Sequence, residues 1–164
     1  MVLVITDAFT KLVELVALPN KEAGTVATAL FSKWFCRFGI PLEVVSDNGR
    51  EFCNQLCTSL FQHMQVKHTT TTAYHPACNA QAEVVNKTIA KYLARVVSAD
   101  TLDWEMYLAP LTLCYNTTFH RSIQTTPYEL MYGIQARIPG FPGPDVQRLY
   151  LSLIHISEPT RRRG

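Results

Sequence analysis

Residues 42 to 54 constrain the fold of this chain more than any other stretch. Leu42 to Val45 is a short apolar, β-branched run that reads as a buried strand. It ends in Ser46-Asp47-Asn48-Gly49, and Asn-Gly is a strong turn signal because Gly tolerates φ > 0 and Asn nearly so. Asn54 then stands where it can cap a helix with Leu56, Leu60, Phe61 and Met64 on its buried face. The order is strand, carboxylate, turn and helix, which fixes Asp47 at a rigid element end.

The flanking segments supply partners for that unit. Met1 to Ile5 and Leu12 to Leu18 are apolar runs separated by Asp7-Ala8-Phe9-Thr10-Lys11, which predicts a hairpin whose first strand is buried on both faces. After Pro19, Asn20 can cap a helix on which Val26, Ala27, Leu30, Phe31, Trp34, Phe35 and Phe38 recur at helical spacing, and Gly39 ends it. Strands and helices alternate, which indicates an α/β arrangement. Val66 to His68 reads as a short strand. Thr69 to Ala80 is polar and aperiodic, and loops of that length in compact domains often carry function.

The helix from about Gln81 to Val97 has two characters. Val85, Ile89, Tyr92 and Val96 cluster on one side, while Glu83, Lys87, Lys91 and Arg95 follow at intervals of four around another. From spacing alone, the second set is a solvated, salt-bridged face. Ser98 to Thr101 breaks this helix and caps another carrying Trp104, Leu108, Leu111 and Tyr115, with a kink expected at Pro110. Thr126-Pro127-Tyr128-Glu129 is a capping box that ends at Gly133. Pro and Gly dominate from Ile138 to Pro144, where order is expected to end.

Length and composition bound the class. At 164 residues, with 48% hydrophobic and 17% charged, the chain reads as one globular domain. Its apolar runs are too short for a membrane span, and Met1 leads into Val-Leu-Val-Ile without a basic leader. The five Cys lack zinc spacing and read as buried reduced thiols, which suits an intracellular compartment. A net charge of +2 is too small to argue nucleic-acid binding, so any basic surface must be local.

Asp47 and Glu83 lie on element ends, where two carboxylates can share a hard divalent ion. Such an ion activates water or a hydroxyl and stabilises a leaving oxygen. Alone, Asp47 reads as a turn residue and Glu83 as a partner of the helix dipole.

Taken together, Ser46-Asp47-Asn48-Gly49-x-x-Phe52 and His75-Pro76-x-x-Asn79-x-Gln81-x-Glu83-x-x-Asn86-Lys87 resemble the integrase catalytic core of retroviruses and gypsy-type retrotransposons. Thirty-five residues separate the two acids, as in the family's Asp-Asp-Glu triad. Tyr115-Asn116-x-x-x-His120 and Thr126-Pro127-Tyr128-Glu129-Leu130-x-x-Gly133 extend the resemblance, which covers about residues 1–140.

The resemblance implies a ribonuclease H-like α/β fold, a mixed sheet flanked by helices. It implies Mg²⁺ or Mn²⁺ held by the catalytic acids Asp47 and Glu83. Lys87 and Lys91 become phosphate contacts, Asn48 and Arg50 sit beside the metal turn, and Tyr74, His75 and Asn79 lie on a mobile flanking loop that meets DNA. Asn86 suits a structural amide as well as a DNA contact, and His75 reads better as a loop anchor than as a general base. Partners are element and target DNA and further copies of the chain, no membrane is involved, and the nucleus is the expected compartment.

The triad's first Asp is not supplied by Asp7. Asp47 lies only forty positions after Asp7, fewer than the family's usual spacing, and Val4 to Lys11 resembles the end of the family's second strand. On that alignment the first strand, the zinc-binding amino-terminal domain and the carboxy-terminal DNA-binding domain are missing. Marginal solubility and little or no strand transfer are expected. Two rivals are a non-catalytic DNA-binding or self-associating relic and a ribonuclease H-type nuclease. Residues 141–164 read as a disordered tail. Within it, Leu151 to Arg161 resembles the translation of a sequencing-library adapter, so neither His155 nor Arg161-Arg162-Arg163 carries a functional role.

Overall fold

The computed structural model describes residues 1–70, 85–91, 94 and 104–138. It opens with an antiparallel hairpin of β1 (Val2–Thr6) and β2 (Val13–Ala17), in register from Val2↔Ala17 to Thr6↔Val13. Asp7 builds the turn. Its Oδ2 accepts from the Thr10 amide and the Thr10 hydroxyl, both at 2.6 Å. Lys11 takes φ +64° and donates its amide to the Asp7 carbonyl at 3.0 Å. The Asp7 carboxylate is thus engaged locally, as a turn residue's is.

The more buried strand is β2, not β1 as the sequence suggests. Val13 and Leu15 enter one core and Val16 the other, whereas β1 buries only Leu3. The reason is helical cover, since α5 (Leu108–Asn116) packs directly on β2.

Helix α1 (Ala23–Ala29) runs without a break into a π-helical stretch (Leu30–Phe35) and a closing turn, α2 (Cys36–Phe38). Asn20 does not cap α1. Its Oδ1 instead gathers the Glu22 amide at 3.1 Å and the Thr25 hydroxyl at 2.7 Å. The π-helical stretch departs from the 3.6-residue period, which is why Phe31 is exposed while Leu30, Trp34 and Phe35 are buried. Gly39 ends the run at φ +93°.

A second ribbon pairs β3 (Glu43–Ser46) and β4 (Lys67–Thr70) in parallel, from Glu43↔Lys67 to Ser46↔Thr70. Sequence spacing put Leu42 in a buried strand and Thr69 in a loop. Instead Leu42 is 91% exposed, Val45 is 49% exposed, and Thr69 and Thr70 belong to β4. Among the described residues, a helical layer meets the face of this ribbon that carries Val44, which packs into the core. Among the described residues, β1 pairs only with β2 and β3 only with β4.

Helix α3 (Gln55–His63) starts where Asn54 predicts, with the Asn54 Oδ1 accepting from the Cys57 amide at 2.9 Å. Its buried face is Cys57 and Phe61; Leu56 is exposed. One core joins β1 and β2 to the α1 and α3 side through Leu3, Val16, Val26, Trp34 and Phe61. On the opposite side, Val13 and Leu15 meet Val85 and Ile89 of the helical segment 85–91 (α4) and Leu108 and Leu111 of α5. Helices therefore cover both faces of the hairpin, the layered plan of an α/β domain.

Trp104–Tyr107 is a 3₁₀ turn leading into α5. Pro110 falls in the first turn of α5, where its missing N–H costs no intrahelical bond, so the expected kink is replaced by the change of helix type. Helix α6 (Pro127–Tyr132) is capped by the Thr126 hydroxyl, which accepts from the Glu129 amide at 3.1 Å. The capping box is only half made, because the Glu129 carboxylate takes the Thr125 hydroxyl instead, at 2.7 Å. Of the cysteines, Cys57 is buried as expected, but Cys36 of α2, Cys53 in the turn before α3 and Cys114 of α5 are exposed. Among the described residues, no helix is long and apolar enough to cross a membrane.

Candidate metal-binding site

Asp47 leaves the end of β3 and enters a turn that the sequence welds to α3. Its Oδ1 accepts from the Gly49 amide at 3.1 Å. The Gly49 carbonyl accepts from the amides of Phe52 and Cys53 at 3.0 and 3.1 Å. Asn54 then works in two directions. Its Nδ2 holds the carbonyls of Arg50 at 3.3 Å and Glu51 at 2.7 Å, while its Oδ1 caps α3. The Glu51 carbonyl also receives the buried Cys57 thiol at 3.3 Å, and burial pushes that thiol's pKa up. Phe52 packs on the core. A flexible turn would dilute the position of Asp47; this one is bonded at nearly every step.

Gly49 is needed for space rather than for a left-handed backbone. Its φ is not among the positive values, which the described glycines show at Gly39 and Gly133. A Cβ added there would meet the Glu51 carboxylate at 2.8 Å and the Asp47 Oδ1 at 2.9 Å. The two carboxylates therefore converge on one side of Gly49. Glu51 is the functional candidate that motif spacing misses, and its only sequence signal is an acid four residues after Asp47.

Behind Asp47, β3 and β4 join side chains on their helix-facing side. The Ser46 hydroxyl lies 2.9 Å from the Asp47 carbonyl and 2.9 Å from the His68 Nε2. The His68 ring packs on Phe61 at a centroid distance of 4.7 Å, and burial lowers its pKa below the ordinary histidine value. On the outer face, Glu43 accepts from the Thr69 hydroxyl at 2.5 Å and pairs with Lys67 at 3.0 Å; these contacts lower its pKa.

Asn48 and Arg50 are exposed in the same turn, and the Asn48 Oδ1 lies 3.8 Å from the Cys53 thiol. Lys87 and Lys91 are exposed on α4, whose Val85 and Ile89 are buried, so this helix divides into packed and solvent faces as its spacing predicts. Glu83, Tyr74, His75 and Asn79 lie outside the described residues, as do Tyr92, Arg95, Val96, the Ser98–Thr101 break and the tail over 141–164. Among the described residues, no three His, Cys, Asp or Glu side chains are grouped to hold a metal ion.

The downstream motif resolves into structure. Asn116 is buried and bonds the backbone of Val13 in both directions, each at 2.8 Å. His120 packs edge-on against Tyr115 at 4.8 Å.

The fold is ribonuclease H-like, with the Asp47 carboxylate at the end of β3. It is similar to the catalytic core domain of HTLV-2 integrase, solved in complex with magnesium, at a TM-score of 0.66 and 18% identity, covering 80% of this chain and 84% of that one. The BIV integrase core is alike at a TM-score of 0.67 and 23% identity, over 80% of this chain and 85% of that one. Residues 1–76 match the integrase core domain family. A Pol polyprotein from transposon 412 of Drosophila melanogaster is 33% identical over 127 residues, 76% of this chain and 10% of that protein. The Pol polyprotein of Radiation murine leukemia virus (strain Kaplan) is 31% identical over 147 residues, 89% of this chain and 25% of that protein. This chain belongs to the retroviral and retrotransposon integrase core family. It spans 10% to 25% of the length of these Pol relatives.

Proposed function

We propose that this chain is the metal-binding core of a DNA integrase, acting in the nucleus on element ends and target DNA. Asp47 and Glu83 hold Mg²⁺ or Mn²⁺. The donor chemistry suits such an ion: Asp47 and Glu51 both bring a carboxylate oxygen up to Gly49 in the turn after β3, and hard cations prefer oxygen. When bound, the metal supplies an activated water or 3′-hydroxyl and stabilises the leaving oxygen of phosphoryl transfer. The chain's own part is to hold Asp47 on a turn bonded to both β3 and α3. Asn48, Arg50, Lys87 and Lys91 offer DNA contacts from exposed positions, and Tyr74, His75 and Asn79 are proposed as further DNA contacts.

The convergence of the Asp47 and Glu51 carboxylates at Gly49 carries this reading. The third triad carboxylate is proposed to come from a strand outside these 164 residues, because Asp7 is engaged in its turn. Catalysis is proposed to require assembly with further copies of the chain.

A joining assay with short duplex DNA in Mg²⁺ or Mn²⁺ tests the proposal. Little or no joining is expected from this chain. A version extended upstream by a strand carrying an Asp should join DNA, and Asp47→Asn or Glu83→Gln should abolish that activity. Joining by this chain that Asp7→Asn abolishes would overturn the assignment of the acids.

A further inference from the structure

The position of Asp47 depends on what fixes the backbone that carries it. Ser46 immediately precedes it, and the Ser46 hydroxyl touches two groups at once, the Asp47 carbonyl at 2.9 Å and the His68 Nε2 at 2.9 Å. A hydroxyl has one proton to donate. The carbonyl can only accept, so both contacts are hydrogen bonds only when the proton goes to Asp47 and the His68 Nε2 carries its own hydrogen.

His68 is well placed for that duty. It lies on β4 opposite Val44, on the helix-facing side of the β3–β4 ribbon. Phe61 of α3, itself only 2% exposed, braces the ring from the other side. Ring, hydroxyl and carbonyl form a chain from the core to the metal turn.

We infer that His68 is a positioning residue for the metal site: its Nε2–H holds Ser46, and Ser46 holds the main chain of Asp47. The inference rests on the reading of Asp47 as a metal ligand. Its role is to donate a hydrogen bond; no proton is transferred. Burial favours the neutral ring, and the Ser46 contact then calls for its one N–H on Nε2.

The first test is ¹⁵N–¹H correlation of the imidazole nitrogens in the unaltered 164-residue chain at neutral pH. The relay requires the Nε2–H tautomer, with Nδ1 unprotonated. A ring protonated on Nδ1 alone overturns it, whether or not the chain binds metal.

The second test is Mn²⁺ titration of the unaltered chain and of Ser46→Ala, His68→Leu and His68→Gln, with near-UV circular dichroism as the check on folding. Loss of one hydrogen bond in the relay is expected to weaken Mn²⁺ binding about three- to tenfold in Ser46→Ala and His68→Leu. His68→Gln keeps an N–H donor and is expected to recover most of that loss. A folded His68→Leu that binds Mn²⁺ like the unaltered chain overturns the relay alone. Failure of the unaltered chain to bind Mn²⁺ contradicts the metal reading of Asp47, and the tautomer still decides the relay.

Discussion

Asn116 gives Val13 both of the partners that a neighbouring strand would give. Its Oδ1 accepts the Val13 amide and its Nδ2 donates to the Val13 carbonyl, each at 2.8 Å and buried. A helical side chain thus closes part of the β2 edge that β1 does not reach.

Removing that amide leaves two buried backbone groups without partners. Asn116→Ala is expected to destabilise the chain by about 2–6 kcal/mol, at about 1–3 kcal/mol for each orphaned group. Asn116→Asp keeps the acceptor but sets a carboxylate against the Val13 carbonyl, so it should be no more stable than Ala. Urea unfolding followed by circular dichroism measures both; a loss below about 0.5 kcal/mol contradicts the closing role.

Two glycines make opposite predictions. Gly49→Ala places a methyl group 2.8–2.9 Å from the Asp47 and Glu51 carboxylates, so it should impair divalent-ion binding with little loss of stability. Gly133→Ala has open space but a φ of +72°, so it should cost about 1 kcal/mol of stability and leave ion binding intact. Mn²⁺ titration and thermal unfolding of the two variants, side by side, check the contrast.

Protonation of His120 should weaken the fold. Burial pushes its pKa below the ordinary value, with Lys11 acting the same way and a hydrogen bond from the ring to the Tyr115 backbone opposing. The unfolded ring titrates near about pH 6.5. The native state binds the proton less readily, so the stabilisation is complete above about pH 6.5 and is lost as pH falls through the lower folded value. Urea midpoints from about pH 7.5 down to about pH 5 should fall, and His120→Gln should flatten that decline. An unchanged slope in His120→Gln contradicts the assignment.

Lys87 and Lys91 face solvent on α4. If they meet phosphates, Lys87→Gln and Lys91→Gln should each lower the salt slope of duplex-DNA binding by about 0.9, with little sequence preference in the loss. Fluorescence anisotropy across a salt series measures it. Weaker binding with an unchanged slope argues against phosphate contact.

The carboxylate turn was the most legible part of the sequence because its signals are local. Asp47, Gly49 and Asn54 each act within a few residues, and the Asn54 cap and the Gly39 and Gly133 stops stand where spacing placed them. Long-range packing was not legible. The exposure of Leu42 depends on which face of β3 a helix covers, and the π-helical stretch that turns Phe31 outward has no local marker. The Ser46–His68 and Val13–Asn116 pairs span 22 and 103 residues, so only the folded chain brings them together. Glu51 is not legible for another reason: one acid in a turn has no period or spacing to mark it.

The most direct test of the central claim is to map Mn²⁺ on the 164-residue chain by paramagnetic broadening of its backbone amide signals, with and without Asp47→Asn. The account predicts broadening that centres on Ser46 to Glu51 and disappears in the variant. Broadening centred elsewhere, or unchanged by Asp47→Asn, would contradict Asp47 as the metal ligand.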